Sequence, residues 1–191
     1  MNSNELWRER FSLFLQELQK YLQYIFNGHL VFVLVIGLGG LAYYYSEWVK
    51  TLDASFPAAF LLAVIISLPL TSSPVYTLLK EPDMFFLLPV EKKLKLYFSK
   101  GLRISFVFQS YILLMFLAAA MPLYAAVENG KFSDFFWIFI VLLIAKYLNL
   151  KIRWSILHFQ EKQIIVIDSI VRYCVNAVLI YVTLTSVSLV F

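Results

Sequence analysis

The chain has 191 residues, of which 61% are hydrophobic, 18% aromatic and 15% charged, and its mean hydropathy is +0.78. Soluble domains carry roughly 45–50% apolar and about 25% charged residues, so this sequence has too little polar surface to wrap its apolar content, which excludes a soluble enzyme. The net charge of +4 does not imply nucleic acid, and the single cysteine, Cys174, excludes an internal disulfide, a CxxC redox pair and a zinc cage. Uncharged stretches approach the ~20 residues needed to cross a ~30 Å hydrocarbon layer as a helix, so the fold class is an all-α, polytopic transmembrane helix bundle.

The amino-terminal residues 1–28 are not a cleavable signal peptide, because Glu5, Arg8, Glu9, Arg10, Glu17 and Lys20 precede the first apolar run. Trp7, Phe11, Phe14, Leu18, Leu22 and Ile25 recur every three or four residues, with Arg8, Ser12, Gln16, Gln19 and Gln23 elsewhere on the wheel. This spacing predicts an interfacial amphipathic helix. It is read either as an anchor that orients the first span or as an element of gating or dimer contact.

Residues 29–191 read as a transmembrane domain of about five spans. The first runs from about Leu30 to Trp48, the second from Phe56 to Ser72, the third from Leu102 to Val127 and the fourth from Phe135 to Leu150. A fifth begins between Ile164 and Tyr173 and continues to Phe191, so the chain ends inside a span, as half of a longer protein or a chain completed by a partner does. Asn129-Gly130 predicts a tight turn. Phe159 to Ile167 is a second candidate interfacial stretch.

Lys and Arg beside the spans are retained on the cytoplasmic side. The amino-terminal segment holds Arg8, Arg10 and Lys20; the segment between spans two and three holds Lys80, Lys92, Lys93, Lys95, Lys100 and Arg103; the segment after span four adds Lys146, Lys151, Arg153 and Lys162. The alternate connections hold only Lys50 and Lys131. The amino terminus is therefore expected in the cytoplasm, and partners are expected there, since both outer connections are short.

The segment from 73 to 100 is the most informative. Pro74, Pro82 and Pro89 limit any helix there, so short stiff helices are expected. Met84, Phe85, Phe86, Leu87 and Leu88 form an apolar knob between Glu81/Asp83 and the basic Lys92, Lys93 and Lys95. Composition allows two readings: the knob lies on the membrane interface with its lysines on anionic lipid, or it fills a groove on a cytoplasmic partner.

Glu81, Asp83, Leu87, Leu88, Pro89, Val90, Lys92, Lys93 and Lys100 follow a pattern that resembles the loop between the second and third spans of ABC-2-type exporter permeases. With Tyr24-Ile25-Phe26-Asn27-Gly28-His29-Leu30 and Ala42-Tyr43-Tyr44-Tyr45, the chain looks like the amino-terminal half of the EcsB family of ABC-transporter membrane subunits. The resemblance implies a cell-membrane permease working with a separate EcsA-like ATPase subunit, which binds the ATP and magnesium; this chain itself holds no cofactor. It also implies that loop 73–100 supplies a coupling helix. Met84, Phe85, Phe86, Leu87, Leu88, Pro89 and Val90 would fill a cleft on the ATPase, and Glu81, Asp83 and Lys92 would pair around its rim. Export of peptides, and a second copy or second permease half as partner, are further implications.

The sequence agrees with a subunit lacking its own motor. No GxxxxGK[ST] loop occurs, and Gly37, Gly39 and Gly40 lie in the first span without a following Lys. Those glycines serve close helix packing or face a substrate. Asp168 and Arg172, four apart on one helical face, are either an interfacial pair or an intramembrane pair on the transport path. His29 and His158 read as interface residues or ligands, and Gln109 and Asn176 as bonds between helices or substrate contacts. An intramembrane hydrolase or acyltransferase needs paired Asp, Ser/His or HExxH within spans, and none is present. A non-transporting membrane scaffold is the remaining alternative.

Overall fold

The structure, a computed structural model, describes residues 3–53, 55–80, 83, 94–128, 130–157 and 161–190. Among them are six α-helices and no strand: α1 (Ser3–Ile25), α2 (Gly28–Lys50), α3 (Ala58–Thr71), α4 (Lys95–Val127), α5 (Phe132–Ile156) and α6 (Lys162–Val190). By length and composition α2, α4, α5 and α6 each suffice to cross a membrane. The chain divides into two compact units, one of residues 1–45 and 76–104, the other of residues 46–75 and 105–191.

In the first unit, the stripe on α1 is laid down as its spacing requires. Trp7 is buried, and Leu6, Phe11, Phe14 and Leu18 are half-buried, while Leu22 and Ile25 are exposed. Trp7 packs with Leu94 and Tyr97, flanked by Phe11, Leu78, Leu79, Phe98 and Ile104. The Trp7 and Tyr97 rings meet edge to face at 5.1 Å. The stripe thus covers residues on both sides of segment 81–93. Asn27 separates α1 from α2 and starts the latter: its Oδ1 accepts the Leu30 N–H at 3.2 Å, satisfying one donor that a helix start leaves free. A Cβ added at Gly37, Gly39 or Gly40 would meet nothing within 4 Å, so no described helix uses these glycines for close packing.

The second unit departs from a run of full spans. The expected second span is α3, of only 14 residues, about 21 Å long at 1.5 Å per residue. It is too short to cross alone, and Pro69 lies within its last turn. It is also among the most enclosed elements: Ala58, Ala59, Leu62, Ala63, Ile66, Ser67, Leu70 and Thr71 are buried, and α3 packs on α5 and α6. Alanines at 58, 59 and 63 permit that close approach. On the longer helices the buried residues recur every three or four positions: Leu113, Leu117, Ala120 and Tyr124 on α4, Ile138, Leu142, Lys146 and Asn149 on α5, and Arg172, Asn176, Ile180 and Leu184 on α6.

Two connections differ from expectation. Residues 72–80 form no helix: Ser72 is extended, and Leu78 takes a left-handed φ of 56°, a conformation costly for a residue with a Cβ. Pro74 disfavours helical geometry in the residue before it. The later part of the expected loop, from Lys95 on, is already the start of α4, whose 33 residues exceed the length of a span. Likewise Ile164 to Ile167 are first turns of α6 rather than a separate interfacial stretch.

No glycine among the described residues has a positive φ, so Gly130 is not there to supply a left-handed turn. A Cβ at Gly130 would instead overlap the Tyr124 ring, which is buried and donates its hydroxyl to Leu184 O at 3.2 Å. Gly130→Ala is therefore expected to lose about 1–3 kcal/mol, the usual range for overpacking. Thermal unfolding in detergent checks this, and in a Tyr124→Ala background the alanine should add no further loss.

Candidate functional site

Within the second unit, the two described buried cations, Lys146 and Arg172, meet at the carboxyl end of α3. A helix leaves its last four carbonyls without internal partners, and the partial negative charge there favours cations. Two side chains provide them. Lys146 of α5 is fully enclosed and its Nζ donates to Pro69 O (2.8 Å), Leu70 O (3.3 Å) and Ser72 O (2.5 Å), and lies 3.4 Å from Ser73 Oγ. Arg172 of α6 donates through Nη1 to Thr71 O at 3.0 Å. The broken end of a short apolar helix is thus closed by charge from two neighbours.

Arg172 is held from its other side. Its Nε lies 3.0 and 2.9 Å from the two carboxylate oxygens of Asp168, and Nη2 donates to Oδ2 at 2.7 Å. The pair's side chains are 9% and 10% exposed. The pair is thus enclosed by protein, on a helix that begins at Lys162. Asn149 and Asn176 complete the network: Asn149 Nδ2 donates to Asn176 Oδ1 (3.0 Å) and to Ala145 O (2.9 Å), and Asn176 Nδ2 donates to Thr71 Oγ1 (2.8 Å) and Asn149 Oδ1 (3.1 Å). Gln109 of α4 donates to Pro74 O at 2.6 Å, fixing the chain just beyond α3. Gln109 and Asn176 both bond neighbouring segments. One carboxylate faces two cations, so the cluster is a positive node binding α3, α5 and α6.

Of the residues expected at the partner site, only Asp83 is among those described; Glu81, Met84, Phe85, Phe86, Leu87, Leu88, Pro89, Val90 and Lys92 lie outside them. In the first unit, Asp83 accepts from Arg10 Nη2 of α1 at 2.7 Å, and from the Lys80 N–H at 2.9 Å. Its carboxylate is thus tied to α1. His29 is exposed, and His158 lies outside the described residues.

The family model described as bacterial ABC transporter protein EcsB matches residues 4–191. The chain belongs to the EcsB family. It is 36% identical over 187 residues to protein EcsB of Bacillus subtilis strain 168, an alignment covering 97% of this chain and 46% of that protein. The chain thus spans about half the length of the curated relative it matches. No solved structure matches it. Family membership, with four helices long and apolar enough to cross a bilayer, makes this EcsB-family chain part of the membrane component of an ABC transporter.

Sequence reasoning misplaced one member of the node and missed others. Lys146 is grouped by the charge count with the cytoplasmic residues after the fourth span, although the bounds of that span, Phe135 to Leu150, contain it; the structure places it inside α5, with its ammonium on backbone carbonyls. The available signal was register: Leu142, Lys146 and Asn149 share one face of α5, as Asp168, Arg172 and Asn176 share one face of α6. Thr71, whose Oγ1 and carbonyl are both used, carries no such signal.

Proposed function

We propose that this EcsB-family chain contributes to the permease of an ATP-driven exporter of peptides, with its amino terminus in the cytoplasm and segment 73–100 docked on a separate, EcsA-like ATPase subunit that holds the ATP and magnesium. The observation that carries the reading is the family match over residues 4–191, whose range includes the acidic, apolar and basic sequence of segment 81–93. Two structural features support a mechanical role for that segment. On α1, Trp7 and Arg10 hold its flanks, through the aromatic cluster around Tyr97 and through Asp83. At its other approach, Gln109 and Lys146 fix Pro74 and Ser72. A displacement entering a segment whose described flanks are so held is passed to helices rather than absorbed by slack chain, which is what alternating access driven by a partner's closure needs. The Met84 to Leu88 knob would supply the buried apolar anchor of the contact, with Glu81 and Lys92 at its rim.

Phe85→Asp or Phe86→Asp tests this directly. Either change puts a charge into the proposed contact, and the ATPase subunit is expected to stop copurifying while membrane insertion persists. Copurification that survives both substitutions removes the coupling role, as does labelling of Lys92 from outside the cell.

A further inference from the structure

Beside the node, within the second unit, the ends of α3, α5 and α6 border an open cavity of about 580 Å3, a size typical of small-ligand sites (~300–1,000 Å3). Its polar wall includes Arg153, Ser72 and Ser169, and its apolar wall Leu68, Val166 and Ile170. Arg153 Nη1 is buried with no hydrogen-bond partner among the described residues. The residue as a whole is half-buried, and a guanidinium presents five donors, so an enclosed nitrogen left unbonded is a place for an acceptor. Among the described residues, the carboxylate of this network, Asp168, is already committed to Arg172 through three short contacts. With Lys146 occupied by carbonyls, the surroundings keep a surplus of positive charge. The lining therefore suits an anion.

The apolar wall identifies what carries it. Leu68, Val166 and Ile170 are 58%, 55% and 58% exposed, on faces of α3 and α6 that no described element covers. Arg153 lies three residues before the end of α5, at the depth where a span meets headgroups. A ligand reaching Arg153 along these side chains has an anionic head on an aliphatic tail. We infer that this cavity is a binding site for an anionic phospholipid, with the phosphate on the Arg153 guanidinium and Ser72 and the acyl chain along Leu68, Val166 and Ile170. Arginine forks suit phosphate geometry, and basic pockets between spans take anionic headgroups.

The test uses the intact membrane protein that contains this chain, purified and placed in phosphatidylcholine nanodiscs doped with phosphatidylglycerol, with retained lipid counted by native mass spectrometry. Preferential retention of phosphatidylglycerol is expected. Arg153→Gln should lower that preference about tenfold, and Arg153→Lys should recover part of it. Val166→Trp, which fills the apolar wall and leaves the charge alone, should displace the lipid as well, so the inference remains decidable if Arg153→Gln does not fold. Equal retention of both lipids by the wild type overturns it, as does unchanged preference in Val166→Trp and Arg153→Gln. So does displacement of the bound lipid by inorganic phosphate alone, or a cavity that a peptide carboxylate occupies and phosphatidylglycerol does not compete for.

Discussion

Asp168→Ala is expected to destabilise the protein by about 3–5 kcal/mol, among the largest effects of any single substitution in it. The figure follows from the asymmetry of enclosed ion pairs: an intact pair contributes little net stability, whereas removing one partner strands the other's charge. Here the stranded group is Arg172, 8% exposed, left with Thr71 O at 3.0 Å and Asn149 Oδ1 at 3.3 Å as acceptors. Neither neutralises it. Asp168→Asn keeps the shape and one acceptor oxygen and should lose less. The double change Asp168→Asn with Arg172→Gln should lose less than the sum of its singles, because no charge remains to strand. Denaturation in mixed micelles gives all these differences. A loss below about 0.5 kcal/mol for Asp168→Ala is what a water-screened surface pair yields, and would return the pair to the interfacial position that the sequence left open.

Much of the helical layout was legible because periodicity and span length are properties of the sequence itself. The face of α1 bearing Trp7, Phe11 and Phe14 follows from residue spacing, as does the apolar content of α2, α4, α5 and α6. The length of α3 was not legible. The run from Phe56 to Ser72 is apolar enough for a span, but Pro57 precedes the helix and Pro69 stands in its final turn, and hydropathy does not register where a helix stops. The node was half legible: Asp168 and Arg172 pair within one helix at a spacing that sequence displays, whereas Lys146, Asn149 and Thr71 meet them only through packing of three helices. A charge count sorts Lys146 with its basic neighbours Lys151 and Arg153, since composition does not distinguish a lysine in water from one whose ammonium is consumed by carbonyls. Asn129-Gly130 reads as turn chemistry, whereas the necessity of Gly130 lies in the Tyr124 ring beside it, a contact no local pattern encodes.

Lys146→Met tests whether α3 is held at its end by charge or merely by packing. Methionine keeps much of the stem that lies among apolar residues and removes the ammonium, so the lost terms are the bonds to Pro69 O and Ser72 O and the weaker one to Leu70 O. The Leu70 bond is buried and the other two are part-buried, so each carbonyl deprived of its donor costs about 1 kcal/mol, the low end of the usual range. The expected loss is about 3 kcal/mol overall. It should be local as well: amide exchange at Leu70 to Ser73 should accelerate relative to the Ala58 to Ile66 stretch, because the unfastened end frays while Leu62 and Ile66 stay buried between helices. Packing alone predicts the opposite, a small loss with uniform protection along α3. If α3 does fray, segment 73–100 departs from a loose end, and the proposed coupling should weaken in a recognisable way: an ATPase subunit held on the Met84 to Leu88 knob of this chain should stay bound and turn over ATP, while transport falls.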